Sequence, residues 1–112
     1  MRIHTDANGV YVNAISTDSG GTDVEGHLYT GAAGAKLFQV EFQHGAVKEN
    51  GVNGVTNEAL LAILIHRTQV LNKRFPCREN AVALTKMEEA KMWFDKRTAD
   101  RQARGVEGLE KQ

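Results

Sequence analysis

The 112-residue sequence predicts an α+β chain: a small N-terminal antiparallel β-sheet packed with a C-terminal antiparallel αα-hairpin. Three observations carry this expectation. Phe38, Val40 and Phe42 alternate with Gln39, Glu41 and Gln43, which sets three apolar side chains on one face of a strand. Leu60, Leu61, Leu64, Ile65, Thr68 and Leu71 recur at spacings of three and four, the stripe of an amphipathic helix. The single proline, Pro76, separates that helix from a second long helical stretch. The chain reads as one domain over 1–112, with a β-rich segment at 1–44, a helical hairpin at 45–108 and a tail at 109–112.

In sequence order, Arg2 to Thr5 pairs with the β-rich run Val10 to Ile15 across the turn signal Asp6-Ala7-Asn8-Gly9. Thr17 to Asp23 reads as a mobile loop. His27-Leu28-Tyr29 is a weak strand before a small-residue break, Gly31-Ala32-Ala33-Gly34, and Lys36 to Gln43 is the strongest strand. The hairpin covers the apolar face of the sheet. Gly45 to Val55 is a polar, glycine-rich connection. Thr56 is the expected N-cap of a helix from about Asn57 to Asn72, with Glu58 in its first turn, where the helix dipole favours an acid. A loop of four or five residues leads to a helix from near Pro76 to about Arg104, stopped by Gly105.

Composition narrows the class. Hydrophobic residues at 41% and charged residues at 25% exclude wholesale disorder. Cys77 is the single cysteine, so no disulfide framework forms within one chain, and a reducing cytoplasm is the expected compartment. The longest apolar run, Ala59 to Ile65, falls far short of the ~18 residues of a membrane span, and the N-terminus lacks the apolar stretch of a signal peptide. Net charge is zero but unevenly spread: residues 1–66 are acidic and residues 67–104 are basic. That sign change suits either a solvated or oligomer-paired helix or a bound anion. A nucleic-acid binder carries an overall basic excess, so a small discrete anion is preferred over a polyanion.

The second helix holds the most informative pattern. Ala83, Leu84, Met87, Ala90 and Phe94 share a stripe that turns polar at both ends, at Asn80 and at Arg97, Thr98 and Arg101. Those groups either meet water where the hairpin ends or line a pocket, where a guanidinium fork suits phosphate. Phe75 and Trp93 either fill a core or interface or stack on a nucleobase. Gly51 to Thr56, which includes Asn53, is either a structural turn or a weak phosphate cradle. The four histidines have no metal-binding spacing, Cys77 is expected to be buried, and no catalytic triad is legible, so the expectation is a non-enzyme with no metal and no cofactor.

A resemblance enters on three segments: residues 48–55 (KENGVNGV), 75–81 (FPCRENA) and 97–108 (RTADRQARGVEG). They are similar to the helical-hairpin domain shared by the phage Thoeris anti-defence sponges and the anti-CBASS cyclic-nucleotide sponges. The β-rich 1–44 segment makes the chain more similar to the Thoeris type. The resemblance implies binding of cyclic ADP-ribose isomers made by TIR-domain enzymes, without cleavage, which leaves the Thoeris effector inactive. It implies a homo-oligomer, dimer or hexamer, in the cytoplasm of the infected host, with cyclic oligonucleotides as further ligands of some members. No membrane or nucleic-acid partner is implied. On this reading Arg97 and Arg101 clamp phosphate, Asn80 bonds a ribose or base, and Phe75 stacks on adenine. Arg78 and Asn53 are candidates for a second site. The alternative is a small nucleic-acid-binding phage regulator that uses the basic second helix, whose affinity would fall steeply with salt.

Overall fold

A computed structural model describes residues 1–19 and 22–105. It divides into two compact units, Met1–Val55 and a helical unit from Thr56 on. The elements run β1 (Arg2–Thr5), β2 (Tyr11–Ser19), β3 (Thr22–Ala33), β4 (Lys36–Glu41), α1 (Val47–Asn50), α2 (Asn57–Arg74) and α3 (Arg78–Ala103). The protein is therefore α+β, as its hydrophobic periods predict.

The first unit is a four-stranded antiparallel meander in the order β1-β2-β3-β4. Arg2 to Thr5 pairs with β2 as expected, and the Arg2 guanidinium lies 3.9 Å from the centroid of the Tyr11 ring. Two expectations need correction. Thr17 to Asp23 is not a loop: β2 runs to Ser19 and β3 starts at Thr22, while Gly20 and Gly21 lie outside the described residues. Gly31-Ala32-Ala33 is not a break either, because β3 passes through it in register, Gly31 opposite Val12 on one side and Phe38 on the other. The small residues there serve packing. A Cβ built at Gly31 would collide with the Tyr11 carbonyl oxygen and with the Phe38 ring, so the strand approaches its neighbours only because that side chain is missing.

Residues 45–55 are also more structured than a polar connection. Ala46 is buried, and a one-turn helix, α1, follows it. Val55 then returns beside the end of β4 in a parallel bridge with Phe42: the Val55 amide donates to the Glu41 carbonyl (2.8 Å) and the Gln43 amide donates to the Val55 carbonyl (3.0 Å). The periodicity of β4 had no means of showing that pairing, which joins residues distant in sequence.

In the helical unit, Thr56 caps α2 by accepting the Ala59 amide at 3.1 Å. The connection to α3 is only Phe75-Pro76-Cys77, shorter than expected, and Pro76 sits in it rather than in the first helical turn. Gly105 closes α3 at φ 71°, its amide bonded to the Gln102 carbonyl. The two helices pack along each other. Half-buried positions include Leu61, Ile65, Thr68 and Asn72 on α2, with the expected Leu60 and Leu71 beside them, and Asn80, Leu84, Met87, Lys91, Phe94 and Thr98 on α3, with Ala90 beside them, followed by buried Arg101. The 4-3 spacing from Leu61 to Asn72 and from Asn80 to Arg101 is that of a coiled-coil-like seam. Leu64 and Ala83, expected on the stripe, are exposed instead. No helix among the described residues is long and apolar enough to cross a membrane.

Replacing Gly31 by alanine is expected to lower stability by roughly 1–3 kcal/mol, the usual cost of overpacking a tight contact. Urea denaturation followed by circular dichroism measures it, and an unchanged midpoint would show that Phe38 has room to move.

Candidate ligand-binding site

The C-terminal half of α3 gathers charge on consecutive turns. Arg97 and Arg101 are four residues apart, so their side chains emerge about 6 Å apart along one face. They line a single open hollow of about 660 Å³ together with Trp93, Lys96, Asp100 and Arg104. Lys96 Nζ and Asp100 Oδ2 pair at 2.8 Å on this face. Four cations against one carboxylate leave the hollow net positive, the setting in which a small polyvalent anion gains charge-assisted hydrogen bonds. Arg101 is 6% exposed, the one buried charged side chain among the described residues, and it is engaged within the chain. A guanidinium held this way has already lost its rotamer freedom before a ligand arrives.

Trp93 also lines this hollow and is 71% exposed. It is not part of the protein's own core. Its place one turn before Arg97 and two before Arg101 follows from the same four-residue spacing, which the apolar-stripe reading overlooked because it followed Leu84, Met87 and Phe94. Lys96 and Arg104 are further lining residues that sequence reasoning left out.

The other predicted residues of α3 stand at its opposite end. Phe75, 72% exposed, precedes the helix, Arg78 opens it, and Asn80 lies half-buried in its first turn. Seventeen residues of helix from Asn80 to Arg97 amount to ~26 Å, too far for one mononucleotide-sized ligand to touch both within one chain. Cys77, expected to be buried, is exposed and serves as N-cap: its Sγ accepts the Asn80 amide at 3.4 Å, and its own amide donates to Asn72 Oδ1 at 3.1 Å. A thiol can replace the usual hydroxyl here because the position needs only an acceptor near the first free amides.

Asn53 belongs to the first unit, and its side chain is occupied there. Oδ1 accepts the His44 amide at 2.8 Å and Nδ2 donates to the His44 carbonyl at 2.9 Å, as a paired strand would. The Asn53 amide in turn donates to Gln43 Oε1 (3.0 Å), and Gln43 Nε2 donates to the Gly51 carbonyl (2.8 Å). Gln43, which sequence reasoning used only for its alternation, is thus a brace of the 43–55 turn. The turn reading of Gly51 to Thr56 is the one with visible contacts. Residues 106–108 of the third resembling segment and the tail at 109–112 lie outside the described residues. Among the described residues no cluster of three metal-ligating side chains occurs.

Comparison with known proteins bears on the hairpin. Residues 36–99, more than half of the sequence, match the family described as Acb2/Tad1, hairpin domain. The match begins at β4 rather than at residue 45 and ends at Ala99, so it spans the strand, α2 and most of α3 and stops short of Arg101. The chain is also 60% identical over 74 residues to a Bacillus phage SBSphiJ7 protein named Thoeris anti-defense 1, an alignment covering 65% of this chain and 52% of that protein. The chain spans about half the length of that relative.

Exchanging Asn53 for aspartate turns the donor facing the His44 carbonyl into an acceptor. The expected outcome is a loss of about 1–3 kcal/mol of stability in thermal or urea melts, because a carboxylate oxygen then faces the His44 carbonyl while the other still accepts the His44 amide. Unaltered stability would show that the bond from Nδ2 to the His44 carbonyl does not brace the fold.

Proposed function

The chain belongs to the Acb2/Tad1 hairpin-domain family, and from that premise we propose that it is a phage anti-defence protein that sequesters a cyclic ADP-ribose-type signalling nucleotide without cleaving it. The observation that carries the reading is the pair Arg97 and Arg101, one helical turn apart on a net-positive hollow beside exposed Trp93. Two guanidiniums at that spacing suit a diphosphate, whose two charges sit close together, and an exposed aromatic ring offers a surface for a base. Tight binding needs only such contacts and exclusion of water, with no reacting group.

The ~26 Å between Asn80 and Arg97 supports a second element of the proposal. Two copies whose third helices run antiparallel would set Phe75 and Asn80 of one beside Arg97 and Arg101 of the other, and would build two equivalent pockets by symmetry. The hairpin has apolar surface to give to such pairing: Ile63, Leu64, Val82, Met92 and Trp93 are all exposed in the single protomer. On this reading Arg78 offers a separate ligand contact, while the Asn53 side chain stays with the His44 backbone and shapes its turn. The protein acts in the cytoplasm of the infected cell, where the messenger is made, and withholds it from the Thoeris effector.

Heat release followed by chromatography tests the reading. Protein incubated with cyclic ADP-ribose isomers and then denatured should return the ligand intact, whereas a new product would make the protein an enzyme. Calorimetry on Arg97→Ala should show affinity reduced at least ~30-fold with circular dichroism unchanged, the loss typical of truncating one partner of a desolvated charge pair. Arg101→Lys, which keeps the charge but removes the fork, should lose affinity in the same direction. Full affinity in both variants would discard the clamp, and steeply salt-dependent binding to DNA or RNA would favour the nucleic-acid regulator.

A further inference from the structure

The sequence contains three Asn-Gly pairs, Asn8-Gly9, Asn50-Gly51 and Asn53-Gly54. Asn-Gly is the dipeptide most open to spontaneous deamidation, because glycine has no side chain to shield its backbone nitrogen. In the first step the glycine nitrogen attacks the asparagine Cγ. The new bond between that nitrogen and Cγ forms, the bond from Cγ to Nδ2 breaks, and ammonia departs with the proton from the glycine nitrogen. Water then opens the succinimide. Cleavage at the carbonyl that came from the side chain gives aspartate. Cleavage at the backbone carbonyl gives isoaspartate, in which the backbone runs through the former side-chain methylene. The sequence alone ranks the three pairs equal.

The structure separates them by what must be released before attack. At Asn53 both ends of the side-chain amide are held by the His44 backbone. At Asn50 the side-chain nitrogen donates to the Ala46 carbonyl (3.2 Å), and the attacking Gly51 amide is committed to the Val47 carbonyl (2.8 Å). Asn8 lies exposed in the β1–β2 turn, and among the described residues no hydrogen bond holds its side chain. There the single bond in the way is Gly9 amide to Asp6 carbonyl, at 3.1 Å on an exposed turn. The Asp6 carboxylate bonds the Asn8 and Val10 amides and so fixes the turn's path without holding the reacting side chain.

We propose that Asn8-Gly9 is the spontaneous modification site of this protein, and that hydrogen bonding protects Asn50 and Asn53 in the folded state. Conversion adds a negative charge beside Asp6. The isoaspartate product also lengthens the backbone between Thr5 and Tyr11, which pair across β1 and β2, and so loosens the edge strand that carries Arg2.

The full-length protein aged in mildly alkaline buffer, beside a sample unfolded in urea, tests this by peptide mass spectrometry and by methyl labelling with an L-isoaspartyl methyltransferase. In urea the three asparagines should convert at similar rates. In the folded sample Asn8 should convert at least about fivefold faster than Asn50 or Asn53, since each further hydrogen bond that must open slows the reaction by about that factor. Asn8→Gln should remove most of the methyl-accepting signal from the folded protein. Equal rates at the three sites in the folded protein would overturn the proposal, as would an intact Asn8 beside a converted one in urea.

Discussion

A helical hairpin forms an apolar seam only where both helices are present. Here α2 has 18 residues and α3 has 26, and the connection between them is three residues long. The last turns of α3, about 12 Å of helix, therefore run past the end of α2. Along the shared length the seam is built from Leu61, Ile65, Leu84, Met87 and Phe94, and on the overhang it continues as Thr98 and Arg101. A guanidinium is costly to place between two apolar helices and much less so where polar groups can reach it. The change from apolar to polar along one unbroken 4-3 pattern thus marks where the apolar seam gives way to charged side chains.

The same length difference explains why one protomer does not gather its own predicted ligand residues. A rigid helix keeps its two ends apart. Phe75, Arg78 and Asn80 surround the tight turn, while Arg97 and Arg101 occupy the overhang. One protomer does not bring the two groups together, and it leaves apolar residues of both helices exposed. Buried apolar residues are few among the described residues: Ala32 and Ala46 are the buried hydrophobic side chains. A protein with so little of its apolar surface hidden gains a great deal from association.

The first unit shows a different economy. Its sheet is held by long-range pairing, and its 43–55 turn is held by two side-chain amides that imitate a strand. Asn53 gives the His44 backbone the two bonds a neighbouring strand would give, and Gln43 ties Gly51 and the Asn53 amide from the other side. Such amides satisfy backbone groups in a segment that has no room for regular pairing. They also restrain the chemistry of the Asn-Gly step they contain.

What the residues alone determined was local. The strand expected at Lys36 to Gln43, which ends at Glu41, the cap at Thr56, the helix after it, the proline-marked turn and the Gly105 stop all follow from periods and end signals within a few residues of each other. The α3 face bearing Arg97 and Arg101 was legible for the same reason, since four residues is one turn. Tertiary structure decided what depends on distant partners. Gly31 to Ala33 is strand and not a break because Tyr11 and Phe38 lie against it; Val55 pairs with Phe42 across thirteen residues of sequence; Trp93 and Cys77 are exposed because no element among the described residues packs over them. Burial is a property of neighbours brought together by folding, and a one-dimensional pattern reports only which side of an element is able to receive them.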